Sequence, residues 1–331
     1  MKYFLTALAW SCTLTASAQD AIFSQFYSAP LYTNPALAGA SKCGRLSASY
    51  RNQWAAIPGA FTDISASYDQ HVDGLSGAIG ALLTSSREGN GAYSTINAGL
   101  IYSYNFQVND VFSIKPAIQA SFVNRRFDWT ALTFHDQFDA SSGLIGPSQE
   151  TFPGDEAPAS KSYADFSAGL VGYSENFYAG FAVHHLGRPV EGFVGAGEYR
   201  LAMKYTAHAG AVIDIRPKQY RFRDPKAPTL SPNIIYQQQG ATQQINYGMY
   251  ANVYPLVFGV WYRQTIAFDE PESLTFLLGI HYNSLNIGYS YDLTISKLTN
   301  ASGGSHELSI GYLLPCREVK PKIKMINCPS F

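Results

Sequence analysis

The chain has 331 residues and a formal net charge of −1, and only 14% of its side chains are charged, against about 25% in ordinary soluble domains. That balance offers no electrostatic footprint for a nucleic-acid partner. Aromatic content is also 14%, with Tyr prominent, while hydrophobic content is an ordinary 46%.

Residues 1–18, MKYFLTALAWSCTLTASA, have the layout of a secretory signal peptide: Lys2, an apolar stretch from Tyr3 to Leu14, then Ala16-Ser17-Ala18. Cleavage after Ala18 is expected, which puts the mature chain outside the inner membrane. Cys12 is a poor lipidation site, because Ala-Trp-Ser precedes it. Cys43, Cys316 and Cys328 survive processing. An oxidising compartment permits a bridge between Cys316 and Cys328, and the odd count leaves at least one thiol unpaired.

Residues 19–44 form a separate N-terminal segment. It opens with QDAIFSQFYSAPLYTNPALAGA, which reads as neither helix nor strand, yet it carries Phe23, Phe26, Tyr27 and Tyr32. Exposed aromatic surface is unfavourable, so the segment is expected to pack against something. Pro30 and Pro35 should keep it from extending a helix or pairing as a central strand.

Beyond it, no stretch approaches the ~20 apolar residues of a membrane helix. Instead the chain alternates with period two, which in a barrel wall sends every second side chain into lipid. In LNIGYSYDL, Leu285, Ile287, Tyr289, Tyr291 and Leu293 share one face, opposite Asn286, Gly288, Ser290 and Asp292. SLTFLLGIHYN, QINYGMYANV and HELSIGYLL repeat the pattern, with aromatic residues near strand ends as an interfacial girdle needs. About fourteen strands are predicted, near 45–52, 61–71, 74–84, 93–106, 111–124, 162–173, 176–185, 200–214, 229–239, 242–253, 256–264, 273–283, 285–293 and 305–314. The expectation is an all-β transmembrane antiparallel barrel over 45–314, in the outer membrane, with both termini periplasmic.

On that count HVDG, QVND, YSEN, YPL and NS are tight periplasmic turns. The opposite connections are mostly longer; the longest, 125–161, contains FHDQFD and PGDEAPAS. One periplasmic connection is long and basic, carrying Arg216, Lys218, Arg221, Arg223 and Lys226. The tail 315–331 adds Arg317, Lys320, Lys322 and Lys324 on the same side. Either these are solvated, like-charged segments or they form a basic face for an acidic partner or anionic headgroups.

Enzymatic chemistry finds no footing: there is no G-x-S-x-G around any serine, and no cofactor or metal is expected. His184 and His185 are adjacent in a predicted strand, so they should point to opposite faces. GNGAYS (89–94) lies between strands and reads as a surface hairpin. Asp63, Ser65, Ser67 and Asp69, with Lys204, Thr206, His208 and Asp214, could line a polar interior.

QDAIFSQFYSAPLYTNPALAG followed by YRNQWAAIPGAFTDISASYD resembles the amino-terminal region of the PorP/SprF outer-membrane proteins of the type IX secretion system. The resemblance continues through FHDQFD, VHHL, GYSYDLT and GSHELSIGYLL. It implies a non-enzymatic barrel that partners secretion components, or that anchors a secreted surface protein, such as a gliding adhesin, through that protein's carboxy-terminal domain. Carried over by motif, Phe23, Ser24, Gln25, Phe26, Tyr32, Asn34, Pro35 and Gly39 occupy the first pattern, and Tyr50, Arg51, Asn52, Gln53 and Trp54 the second. For the first, a plug or brace at the periplasmic mouth is preferred over direct cargo contact. For Arg51 to Trp54, a strand end with a girdle Trp and a binding loop stand side by side. The basic insertion at 216–229 departs from the family's usual short turn. A porin-like channel for small solutes is the alternative reading.

Overall fold

The computed structural model describes residues 20–41, 43–128, 131, 135–139, 143–144, 146, 159–192, 199–216, 227–266, 270–296 and 299–315. Fourteen long antiparallel strands form one closed barrel. They are β1 (Arg45–Gln53), β2 (Phe61–Val72), β3 (Gly77–Glu88), β4 (Tyr93–Tyr104), β5 (Ser113–Phe127), β6 (Ala159–Tyr173) and β7 (Phe177–His184). There follow β8 (Lys204–Ala211), β9 (Thr229–Gln239), β10 (Thr242–Val253), β11 (Leu256–Thr265), β12 (Glu270–Tyr282), β13 (Leu285–Thr294) and β14 (Ser305–Leu313). Each strand pairs with its neighbours in sequence, and β14 pairs with β1 to close the ring, with Glu307 opposite Arg51. Closure satisfies every wall strand's backbone without a free edge, as a lipid environment requires.

The period-two reading holds along the wall. On β12, Phe276 and Leu278 are 47% and 50% exposed on the outer face, while Thr275 on the same strand is 2% exposed and faces inward. Tyr104, Tyr282 and Tyr312 stand outward at one end. Among the described residues no helix is long and apolar enough to cross a membrane.

At one end of the barrel most connections are tight: 73–76, 174–176, 254–255 and 283–284. This is the short-turn end; the other, which carries 54–60, 128–158, 185–203 and 295–304, is the long-loop end. β5 and β6 run past their predicted limits to Phe127 and from Ala159. Polar residues there still pair, with Arg125 opposite Lys161, and Asn124 Nδ2 donates to Ser160 and Ser162. β8 is shorter than the predicted 200–214, because residues before it turn inward: Leu201 is buried and its N–H donates to Pro189 O at 2.9 Å. Gly89–Gly91 form the tight turn between β3 and β4, as expected for GNGAYS.

Cys43 is disulfide-bonded, with a partner outside the described residues. The predicted Cys316–Cys328 pairing also falls outside them. So do Lys218, Arg221, Arg223, Lys226, Arg317, Lys320, Lys322 and Lys324.

Candidate functional site

Residues 20–40 lie inside the barrel and contact inward faces all around it. The path runs the length of the lumen. Asp20 donates its N–H to Gln239 Oε1 at 2.9 Å at the long-loop end, and Gly39 donates to Asp69 Oδ2 at 2.6 Å at the short-turn end. The expected place for this plug or brace was the periplasmic mouth; its contacts extend along the whole lumen. The polar side chains of the first motif find their partners along the whole height of the wall.

Local chemistry explains the segment's shape. Pro30 and Pro35 each open a helical turn, α1 (Pro30–Thr33) and a 3₁₀ turn (Pro35–Leu37), at a position where the missing N–H costs nothing. Asn34, held extended by the proline after it, caps the second turn: its Oδ1 accepts from Ala36 N at 2.9 Å. Its Nδ2 donates to His208 Nε2 on β8 at 3.1 Å. Gly39 has φ +64°, and a Cβ there would collide with Ala78.

Between Asp20 and Asn34 lies the densest polar cluster. Ser24 and Gln25 donate their N–H groups to the two oxygens of Glu307, at 2.7 and 3.1 Å. Ser24 Oγ donates to Asp292 Oδ2 at 2.6 Å and accepts from Arg51 and Arg263, both at 2.7 Å. Arg51 lies 2.7 Å from Asp292 and 3.3 Å from Glu307; Arg263 lies 3.5 Å from Asp292. Gln25 Oε1 accepts from Ser309 at 2.6 Å, and its Nε2 donates to Glu307 O at 3.0 Å. All these groups are buried, so two guanidiniums and two carboxylates neutralise one another around the Ser24 hydroxyl.

Toward the short-turn end the contacts become aromatic. Phe26 packs on Trp261 at 5.3 Å between ring centroids, and Tyr27 meets Tyr178 and Tyr250 edge-on at 5.9 and 6.3 Å. Below them Arg45 bridges Asp69 at 3.0 Å and reaches Leu37 O, while Lys115 Nζ donates to Ala38 O. Inward glycines make room: a Cβ at Gly169 would strike Asn34, and one at Gly288 would strike Gln25.

At the long-loop end Asp20 pairs with His185 Nε2 at 2.7 Å, and His185 Nδ1 lies 2.8 Å from Asp165. Burial opposes a charged imidazole here. The Asp20 carboxylate and the hydrogen bonds that His185 donates to Asp165 and Asp20 outweigh it and push the His185 pKa up to about 10. Against its own burial, His185 and Lys204 hold Asp20 well below the usual carboxylate range. His184 and His185 do not point to opposite faces: the strand ends at His184, His185 takes φ +59°, and both rings are buried. Alternation holds only while the backbone stays extended. Phe23 packs edge-on against Tyr32 at 5.1 Å, and Tyr32 OH donates to Ala21 O.

Of the second motif, Arg51 joins the central cluster, whereas Tyr50 stands on the outer face at 45% exposure. Gln53 and Trp54 line a cavity at the long-loop end, with Trp54 edge-on to Phe61; Asn52 is half-buried. Arg216 forms an ion pair with Asp214 at 2.8 Å. Sequence reasoning did not single out Arg45, Arg263, Asp292 or Glu307. For Asp292 and Glu307 the available signal was a lone charge on an inward face otherwise made of Ser, Gly, Asn and Thr; Arg263 shares its inward face with Val257 and Trp261, and Arg45 shares its own with Arg51.

A closed barrel with a lipid-compatible outer face and a polar, occupied lumen defines an outer-membrane β-barrel protein. The family described as "Type IX secretion system membrane protein PorP/SprF" matches residues 15–312, and the chain belongs to it. A search of curated proteins finds no match. Among solved structures the chain is similar to the "CymD monoaromatic hydrocarbon channel", at 15% identity and TM-score 0.47, covering 89% of this chain and 94% of that one. It is also similar to the Acinetobacter baumannii outer membrane protein Omp33, at 8% identity and TM-score 0.45, covering 83% and 100%.

Proposed function

We propose that this barrel works without bond-making chemistry, as an outer-membrane partner of type IX secretion that holds a secreted surface protein, such as an adhesin, at the membrane. The observation that carries this reading is the internal segment. Residues 20–40 are tied by buried hydrogen bonds and ion pairs to strands around the ring, which suits a rigid anchoring platform better than a solute path. In this reading residues 19–44 act as a plug, released from the leader by cleavage after Ala18. The long loops face outward to meet the cargo's carboxy-terminal domain, and the short turns face the periplasm. The basic residues from Arg216 to Lys226 and in the tail would then meet an acidic secretion subunit or anionic headgroups there.

Tagging the protein in its native outer membrane and identifying what co-purifies tests the proposal. A secretion component or a secreted surface protein is expected; recovery of neither overturns it. The polar inner wall favours a channel as the second reading. Planar-bilayer conductance separates the two: intact protein should be nearly closed, and a large steady pore would favour transport.

A further inference from the structure

The cavity at the long-loop end has a volume of about 410 Å³, within the range of ligand pockets. Asp20, Asp63, Glu88 and Asp165 line it, against Arg125, Lys204 and the charged imidazole of His185. All three are already engaged: His185 between Asp20 and Asp165, Arg125 in an ion pair with Glu191, and Lys204 at 3.8 Å from Asp20 and over the Tyr32 ring. Asp63 and Glu88, on adjacent strands, have no ion-pair partner among the described residues; Asp63 hydrogen-bonds Ser86 and lies in the longer-range field of Arg51 and Lys204.

A second, independent feature points the same way. Asp165 Oδ1 and Gln119 Oε1 belong to residues only 3% and 5% exposed, both line the cavity, and neither atom has a hydrogen-bond partner. Asn97 Oδ1, also on the wall, is likewise unpartnered. All three are acceptors; of the other unpartnered atoms on the same wall, Arg125 Nε belongs to a guanidinium already paired with Glu191, and Tyr163 OH and His184 Nε2 can each also accept. The wall also offers rings to a cation: Arg125 already sits 5.9 Å above Tyr93, and Trp54 and Phe61 stand at the half-buried rim. No group of three or more His, Cys, Asp or Glu among the described residues is placed to hold a metal ion, which argues for an organic cation.

We infer that this cavity binds a guanidinium or ammonium side chain presented by a polypeptide, the inserted Arg or Lys donating to Asp63, Glu88 and the free acceptors. The choice of a polypeptide carrier rests on the anchoring function proposed above. An anionic group would meet the unpaired carboxylates of Asp63 and Glu88 and find all three cations already paired.

The test is titration of the detergent-solubilised, full-length barrel with acetyl-Gly-Arg-Gly-amide and with its citrulline counterpart, which keeps the shape and loses the charge. Binding is followed by calorimetry at low and high salt. The arginine peptide should bind saturably, about tenfold more tightly than the citrulline peptide, and more weakly in high salt. Glu88→Gln and Asp63→Asn should each weaken it about tenfold, while Glu175→Gln at the opposite end should not. Heat-modifiability on gels confirms that each variant is folded, and half-buried Glu88 is the safer substitution. Equal binding of the two peptides, absence of saturable binding, or a folded Glu88→Gln barrel that binds as before overturns the inference. If the wild-type protein co-purifies cargo yet ignores the arginine peptide, this inference fails and the anchoring reading stands. If it binds the peptide but recovers no partner, the cation site stands and the anchoring reading falls.

Discussion

Arg51 on β1 sits directly opposite Glu307 on β14 across the seam that closes the barrel, and its guanidinium lies 3.3 Å from that carboxylate. The same guanidinium holds Asp292 and the Ser24 hydroxyl, so one side chain ties the seam to the internal segment. Removing it leaves two buried carboxylates facing each other. Arg51→Met should therefore lower stability by about 3 kcal/mol, read as a shift in the urea midpoint of the folded barrel. Arg51→Met combined with Glu307→Gln should recover part of the loss, because one stranded charge is then gone.

Gly169 is the doorway through which Asn34 reaches the wall. Gly169→Val fills the space that Asn34 Oδ1 occupies, and should displace the segment locally at a cost of about 1–3 kcal/mol. The readout is planar-bilayer conductance, which should rise with Gly169→Val and rise further on deletion of residues 20–40. An unchanged trace in the deletion variant would remove the plug from the proposed function.

Two substitutions report on the segment's own turns. Asn34→Ala loses the cap on the 3₁₀ turn and the bond to His208, and should cost about 1 kcal/mol or somewhat more. Gly39→Ala must hold φ +64° with a Cβ and also collides with Ala78, so a loss of about 1–2 kcal/mol is expected. Chemical denaturation of the two variants in the same detergent measures both.

The tie between Asp20 and the end of β7 should depend on pH in a defined way. His185 has its pKa raised to about 10, so its contribution is complete below its ordinary value of 6.5 and is lost as pH rises through about 10. Asp20 is shifted the other way, so its contribution is present above its ordinary value of 3.8 and is lost only in stronger acid. Hydrogen exchange of residues 20–24 should accelerate at the alkaline limit, and His185→Gln should remove that alkaline step. Lys204, Arg125 and His184 face the same region, so the comparison between wild type and His185→Gln carries the test.

Much of the wall was legible in the chain, because a barrel strand writes its two environments into alternate positions. Leu285, Ile287 and Tyr289 meet lipid, and Asn286, Gly288 and Ser290 meet the interior, whatever the neighbouring strands are. Phe23 to Gly39 could be recognised as an unusual, packed segment for a similar reason: its rings and prolines are anomalous in any linker. The partners of that segment were not legible. Ser24 lies more than 260 residues from Asp292 and Glu307, and a lone inward charge does not say which group it will meet.

The sequence by itself therefore determined the barrel, its strand count and the membrane it suits, because alternation, girdle aromatics and turn chemistry act over a few residues. Only the tertiary structure decided where the amino-terminal segment goes. It runs the full length of the lumen, since buried Ser24, Gln25, Asn34 and Gly39 must satisfy their donors and acceptors. Their partners converge only after β14 has closed on β1.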